Sequence, residues 1–466
     1  RIQKGIAQTF TASPTQIYGA MFPTNPSVGT ITITGATTDS TDIAFTEISS
    51  SLPNGLTLND QGAGNQTATI TGTLTDSITS DTTTNNIRIQ AKANADNNRI
   101  TEVNESSGVG AVSITKKAGG APVLFNARRY MGNVTARDIN GLGLKPDLVW
   151  IKNRDNSSHS HQLFDSVRGA TNRIYSDANT QQGSDSQVLT AFNSDGFSIG
   201  TNIGINGDAE AHIAWAWKAG GAPVSITSGL TGVNSVTQSA SSTTGFSITK
   251  YTGTNTANSS FPHNLGGTPD WVIIKNLDVA SGWATWHTGL GSASTGGNFL
   301  RLDNNNYKGA SGSDSNAYFG TTGVTSTLIG CTNETWTGTA HNFICYAWKA
   351  VSGVSAFGSF EGLGAGQTRE ITTGFNPRFK MIKRIDGDGS WWIQDDSTFL
   401  AGSNTQSGSG NFNKSLFKAE EANSAFESVA HCVIEDIPTG FKIHTQTALD
   451  GLPNANTDTY IYMAFA

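Results

Sequence analysis

A chain of 466 residues is too long for one ordinary core and long enough for roughly three to four domains. Only 14% of the residues are charged and 36% are hydrophobic, with a net charge of −7. That balance is low for a cytosolic enzyme, leaves no basic stripe for nucleic acid, and contains no run of about 18 apolar residues that would insert into a membrane. Ser, Thr, Asn and 53 glycines take up the difference, a composition suited to short strands joined by turns. Simple disorder is excluded by 22 Phe, 10 Trp and 9 Tyr, enough to fill several cores. Three cysteines (Cys331, Cys345, Cys432) cannot make a disulfide framework, and Cys345 in FICYAW reads as a buried small hydrophobe. The chain begins at Arg1 rather than Met, which leaves room for an upstream segment.

The first segment, 1–117, carries SLPNGLTLN (51–59), a tight Pro-Asn-Gly turn between strands, and then TATITGTLTD (67–76). IRIQAKA (87–93) alternates cleanly, and AVSITKK (111–117) makes a last strand. About a hundred residues with several short strands predict an immunoglobulin-like sandwich.

KAGGAPV then appears at 117–123 and again at 218–224, with a degenerate KAVSGVS at 349–355. Gly-Gly-Ala-Pro cannot continue a sheet, so these stretches read as junctions between modules at 122–219, 223–350 and 354–466. Each module has an early strand introduced by Pro: KPDLVWIKN (145–153), TPDWVIIKN (268–276) and NPRFKMIKR (376–384). Each closes on an apolar-aromatic strand, HIAWAWKAG (212–220), NFICYAWKA (342–350) or TYIYMAFA (459–466). In register, one face carries Ile213, Ile344 and Ile461, then Trp215, Tyr346 and Met463, then Trp217, Trp348 and Phe465. A period-2 pattern with the same bulky face three times predicts a half-buried strand repeated in one fold. Gly-Phe strand starts recur at SDGFSIG (194–200) and PTGFKIH (438–444), and TTGFSITKY (243–251) opens the second module. Helical periodicity is scarce, its best candidate being FKAEEANSAFESVA (417–430). The predicted fold is all-β: an N-terminal immunoglobulin-like sandwich followed by three related jelly-roll-like sandwich repeats. Short Gly-Ala-Pro links would join them into a semi-rigid rod.

Two resemblances follow. Leu52, Pro53, Gly55 and Leu56 with Ile70, Gly72 and Thr73 resemble the immunoglobulin-like modules of bacterial and phage surface proteins. KPDLVWIKNRD, HQLFDSVRGA (161–170), SDGFSIG, AWAWKAGG, TTGFSITKYTG, FGSFEG (357–362), TTGFNPRFKMIKRIDG (372–387) and TYIYMAFA resemble a repeat of tailed-bacteriophage structural proteins, marine and cyanophage-like. The resemblance implies a virion component, a tail fibre or other host-facing appendage that adheres to the host surface. It carries no catalytic residues, and it implies a location on the virion surface. The partners expected are copies of the same chain (a trimer favoured), other virion proteins and a host surface glycan, without nucleic acid or membrane insertion.

The search for chemistry agrees with a non-enzyme. GxSxG, HExxH and GxxxxGK[ST] are absent, and GLGAGQ (362–367) follows a strand with no helix after it, so it reads as a turn. Asp395 and Asp396 point to opposite faces of a strand and cannot cooperate. Asp395 aligns with Asp165 and His287, a recurrence that suggests a structural role, with Arg168 the ion-pair partner in the first module. His159 and His161 form a His-x-His pair, a weak metal candidate that offers two ligands per chain; a solvated loop is the plainer reading. No cofactor is implied. DGDG (386–389) predicts a type I′ turn rather than a calcium loop. Trp283 and Trp391 align between modules and read as core. Trp286 and Trp392 are the candidates for an exposed, glycan-stacking surface, since neither shares a face with its neighbouring Trp. Two other functions use the same features: a capsid or tail decoration protein without receptor binding, and a capsule-degrading depolymerase.

Overall fold

The computed structural model describes strand backbones within 9–116 and residues 123–309, 318–395, 416–422, 432–445, 453–455 and 457–466. The chain divides into two compact units, Arg1–Pro122 and Val123–Ala466, and almost all regular structure in both is β. No helix of the described residues is long and apolar enough to cross a membrane.

The first unit has two sheets. Thr9–Ser13, Ile31–Ala36, Thr67–Gly72 and Leu56–Asp60 make an antiparallel four-stranded sheet. Gln16–Gly19, Val112–Lys116, Thr83–Ala93 and Ile43–Ser49, with the short Ile100–Thr101 beside Thr83–Ala93, make the other, in which the first two strands run parallel. The strands read from LTLN, TATITG and IRIQAKA are all present; the Pro-Asn-Gly turn before the first of them lies outside the described residues.

In the second unit one plan recurs three times. An opening strand (Phe125–Met131, Phe246–Gly253 or Ser355–Glu361) lies beside the closing strand (Ala211–Trp217, Asn342–Trp348 or Thr459–Phe465). On the other side of the closing strand comes the Pro-introduced second strand: Leu148–Asn153, Trp271–Asn276 or Phe379–Arg384. A third strand follows (Gln162–Asp165, Trp283–His287 or Trp391–Asp395) and then a fourth (Asn172–Tyr175, Leu300–Arg301 or Leu416–Lys418). The registers coincide: Leu148 faces Trp217, Trp271 faces Trp348, and Phe379 faces Phe465. A smaller sheet covers the outer face of each, of three strands in the first and last modules and two in the middle one. Two of the Gly-Phe strands, Gly196–Ile199 and Gly440–Thr445, belong to these outer sheets, whereas Phe246–Gly253 opens an inner one.

The closing strands are buried on both faces, not half-buried as alternation suggested. Ile213, Trp215 and Trp217 join Ile344, Tyr346, Trp348, Ile461, Met463 and Phe465 in a single cluster. The alternate residues Ala214 and Ala216, or Tyr460, Tyr462 and Ala464, face the outer sheet of their own module. At the centre the three equivalent rings touch: Trp217 lies 6.2 Å from Trp348 and 5.6 Å from Phe465, and Trp348 lies 6.5 Å from Phe465. The modules therefore close around a pseudo-threefold centre and are not strung as a rod. Burying a side chain of this size contributes roughly 1.5–3 kcal/mol, so a face exposed in a rod would forgo its largest apolar residues.

Pro-Asp explains the junctions. Asp147 Oδ2 accepts from the Ala219 N–H (2.8 Å) and the Gly221 N–H (3.2 Å), and Asp270 Oδ2 accepts from Ala350 N–H (2.8 Å). KAGG and KAVS are thus the turns that a carboxylate of the second strand's lead-in holds at the end of the closing strand. The first KAGGAPV copy lies outside the described residues except Val123. The proposed helix at 417–430 begins instead as a strand, Leu416–Lys418, followed by a turn, and residues 423–430 lie outside the description.

Candidate functional site

The chemistry-bearing residues that the sequence singled out converge on the seams between modules. Asp165, at the end of its third strand, binds Arg168 Nε (2.5 Å) and also accepts from Tyr346 Oη of the second module (2.7 Å). Asp395, in the same position of the third module, accepts from Trp215 Nε1 of the first (3.0 Å). His287, in that position of the second, meets the Tyr462 carbonyl of the third through Nε2 (3.1 Å). Each module thereby holds the closing strand of the next, and the last is tied to the first. The structural role expected for this recurring position is what the geometry provides, including the Arg168 ion pair.

A second set of ties runs through three equivalent buried lysines. Lys152 Nζ donates to His159 O (2.8 Å) and Ala422 O of the third module (2.7 Å). Lys275 Nζ donates to Ser281 O (2.5 Å) and Asn179 O of the first (3.0 Å). Lys383 Nζ donates to Arg384 O (2.6 Å) and Asn305 O of the second (3.2 Å). Burial pushes all three ammonium groups down to about 8. Beside them, Trp283 Nε1 donates to Tyr175 O (3.0 Å) and Ala178 O (3.1 Å), and Trp391 Nε1 donates to Arg301 O (2.8 Å). The lysine ammonium of the same module lies over each ring, 5.8 Å from the Trp283 centroid and 6.0 Å from that of Trp391.

His161 is the first module's counterpart of Trp283 and Trp391, which overturns both the weak metal candidacy and the plainer reading of a solvated loop. It is fully buried, takes a hydrogen bond from Trp150 Nε1 on Nδ1 (2.9 Å), and lies 5.7 Å from the Trp150 ring centroid. Burial holds its pKa well below the usual imidazole value, and Lys152 adds to the effect. His159 is half-buried and contributes its carbonyl to Lys152, so the pair is split between a loop and a core. Among the described residues no group of three or more His, Cys, Asp or Glu is placed to hold a metal.

The two glycan-stacking candidates are also corrected. Trp286 is 5% exposed and Trp392 6%. Trp286 belongs to the shared cluster and donates from Nε1 to Gly291 O (2.9 Å). Trp392 packs between the two sheets of the third module, with Lys418 Nζ 5.5 Å from its ring centroid. Alternation along the third strand does separate each from its neighbouring Trp, but both faces of that strand are covered, so neither face is a surface. Trp283 and Trp391 are core, as read. An edge of Trp392 does reach an open cleft of ≈ 530 Å³ that Asn305, Arg384, Asp388, Ser390 and Lys418 also line.

DGDG forms no type I′ turn: neither Gly387 nor Gly389 has positive φ. Asp386 Oδ2 instead accepts from Thr459 N–H (2.7 Å), as Asp155 Oδ2 does from Ala211 N–H (2.7 Å) and Asp278 Oδ2 from Asn342 N–H (2.8 Å). A carboxylate two residues beyond the second strand caps the start of every closing strand. Sequence reasoning missed this, although the aligned Asn-Arg-Asp, Asn-Leu-Asp and Arg-Ile-Asp already placed the three carboxylates at one position.

These features define an all-β protein of several antiparallel sheets, three of them built on one plan and closed on one another through equivalent polar ties. A family model described as "Domain of unknown function (DUF7483)" matches residues 121–466, and the chain belongs to that family. No curated protein matches the chain.

Proposed function

We propose that this chain is a structural protein of a bacteriophage particle, a tail-fibre or other host-facing appendage subunit that mediates adhesion to the host surface. The observation that carries the reading is the closed ring of three repeated modules. The stretches that resemble phage repeats are the ones that build its seams: the Pro-introduced strands with their buried lysines, HQLFDSVRGA with Asp165 and Arg168, and the closing strands. Asp395, the described member of the adjacent carboxylate pair, is engaged in holding the ring, and His161 is engaged in the core of its module, which supports a scaffold over an enzyme. A rigid scaffold gains affinity from many weak contacts presented together. The expected setting is the virion surface, with other virion proteins and a host glycan as partners.

A second reading, a decoration protein without receptor binding, draws on the same ring. Three modules within one chain supply an arrangement that a fibre otherwise obtains from three chains, so a monomer is structurally self-sufficient. Light scattering on the purified chain, followed by binding to host cells, separates the two. A trimer that coats susceptible cells supports the fibre; a monomer that ignores cells supports decoration. Turnover of capsular polysaccharide by the purified chain would sink both.

A further inference from the structure

An open groove of ≈ 730 Å³ lies on the second module. One wall is the edge strand Val224–Ile226 and the turn through Gly229; the others are Pro262–Gly266 and Ser326–Leu328. Among the described residues, no Asp, Glu, Lys, Arg or His lines it. Its polar groups are hydroxyls and one amide, among them Ser225, Thr227, Asn264, Ser326 and Thr327. Ile226, Pro262, Leu265 and Leu328 supply apolar contact between them.

Two buried side chains hold the walls in place. Gln238, 2% exposed, takes a hydrogen bond from Asn264 Nδ2 (2.6 Å) and donates to Pro262 O (2.8 Å) and Thr249 Oγ1 (2.9 Å). His263 is fully buried; its Nδ1 accepts from Leu265 N–H (3.2 Å), so Nε2 carries the proton and donates to Thr325 O (3.2 Å). That ring joins the second wall to the third, whose turn is closed by Thr325 Oγ1 accepting from Leu328 N–H (2.9 Å). Such a groove needs little ordering when a ligand enters.

We propose that this groove binds a neutral oligosaccharide. An ionic ligand would give up hydration there with no counter-charge to replace it. A neutral sugar exchanges its water for hydroxyl, amide and strand-edge partners and lays C–H surface on the prolyl and leucyl side chains. The edge strand pairs on one side only, with Val233–Ser241, and no described strand takes its outer edge. Its outward N–H and C=O groups add donors and acceptors at fixed spacing. At three residues the edge is short for strand addition by a peptide, and the hydroxyls of Ser326 and Thr327 and the amide of Asn264 continue the polar lining beyond it.

The site gives a ligand class to the adhesion proposed above, and soluble probes keep the two readings separable. Saturation-transfer NMR on the full chain with malto-, cello- and N-acetylglucosamine oligomers, beside oligogalacturonate as the acidic control, reads binding directly. Transfer to at least one neutral series and not to the acidic one is expected. Thr327→Glu and Ser225→Arg, both at exposed positions, should each weaken it at least tenfold with an unchanged thermal midpoint. No transfer to any neutral series, preference for the acidic control, equal transfer in both variants, or capture of extended peptides instead of sugars would each overturn the site. Cell adhesion that persists in both variants would remove the groove from adhesion and leave the adhesive role standing.

Discussion

Asp165, Asp395 and His287 stand at one position of the repeat and reach the neighbouring closing strand by different chemistry. Two carboxylates accept from a phenol and an indole, while the imidazole of His287 meets a carbonyl because Met463 stands where the other closing strands have Trp215 and Tyr346. Tyr346→Phe leaves the buried Asp165 one partner short and should cost about 1–3 kcal/mol in urea denaturation; no measurable loss would mean that Arg168 and the Val167 N–H satisfy it. His287 adds a pH dependence. Its Nδ1 accepts from Gly289 N–H (3.0 Å), so the proton sits on Nε2 and donates to Tyr462 O, and a second proton has no acceptor. Burial pushes its pKa down to about 4 against about 6.5 in an unfolded chain. The neutral ring therefore contributes stability that is present above pH 6.5 and lost as pH falls toward about 4, up to ~3 kcal/mol. His287→Gln keeps a donor and cannot titrate, so the stability gap between wild type and variant should narrow across that window. Parallel pH curves would refute the assignment.

The junction turn shows what an element demands of its residues. Gly220 follows the closing strand of the first module, and a Cβ there would sit 2.3 Å from Ala240 O and 2.6 Å from Ala240 N, both backbone atoms of the next module. Ser239 Oγ stitches the same turn, accepting from Gly220 N–H (3.0 Å) and donating to Gly221 O (2.8 Å). Gly221 has a different reason: its φ is +83°, with open space around it. Gly221→Ala should cost about 1 kcal/mol for the left-handed backbone alone. Gly220→Ala forces backbone apart and should cost more, roughly 2–4 kcal/mol by thermal unfolding. The reverse order would mean that this turn yields easily. The second KAGGAPV thus marks a turn pinned between modules, and its Gly-Gly pair answers a close approach and a positive φ, not a need for a loose hinge.

The shared core makes Val123–Ala466 one cooperative body. Its modules contribute equivalent inner faces to a single cluster and equivalent donors to each seam, so no inner face is covered without its neighbours. Urea or heat should unfold this unit in one transition, with Trp fluorescence and far-UV signals coincident. Residues 223–350 expressed alone should lack near-UV signal and bind hydrophobic dyes, while 121–466 folds. A folded isolated module would show that each sandwich is self-sufficient.

Much of this was legible in the sequence. Three modules, their Pro-introduced and closing strands, the core role of Trp283 and Trp391 and the structural role of Asp165 and Asp395 all follow from period-2 patterning and internal alignment. Those signals are local, and a strand writes its alternation into the sequence wherever it lies. What the alternation cannot encode is what covers each face. Alternation puts Trp286 and Trp392 on an open surface only if one face of their strand is wet, and the polar run around His161 reads as a solvated loop only if nothing packs on it. The rod assumed that modules joined by short links stay apart. Both depend on contacts between residues more than a hundred positions apart, such as Trp215 with Asp395 or Trp217 with Phe465. The sequence by itself determined how many modules there are and which residues are bulky on which face. Only the tertiary structure decided that those faces meet, because burying three apolar faces in one core is a property of their joint arrangement and of no single module.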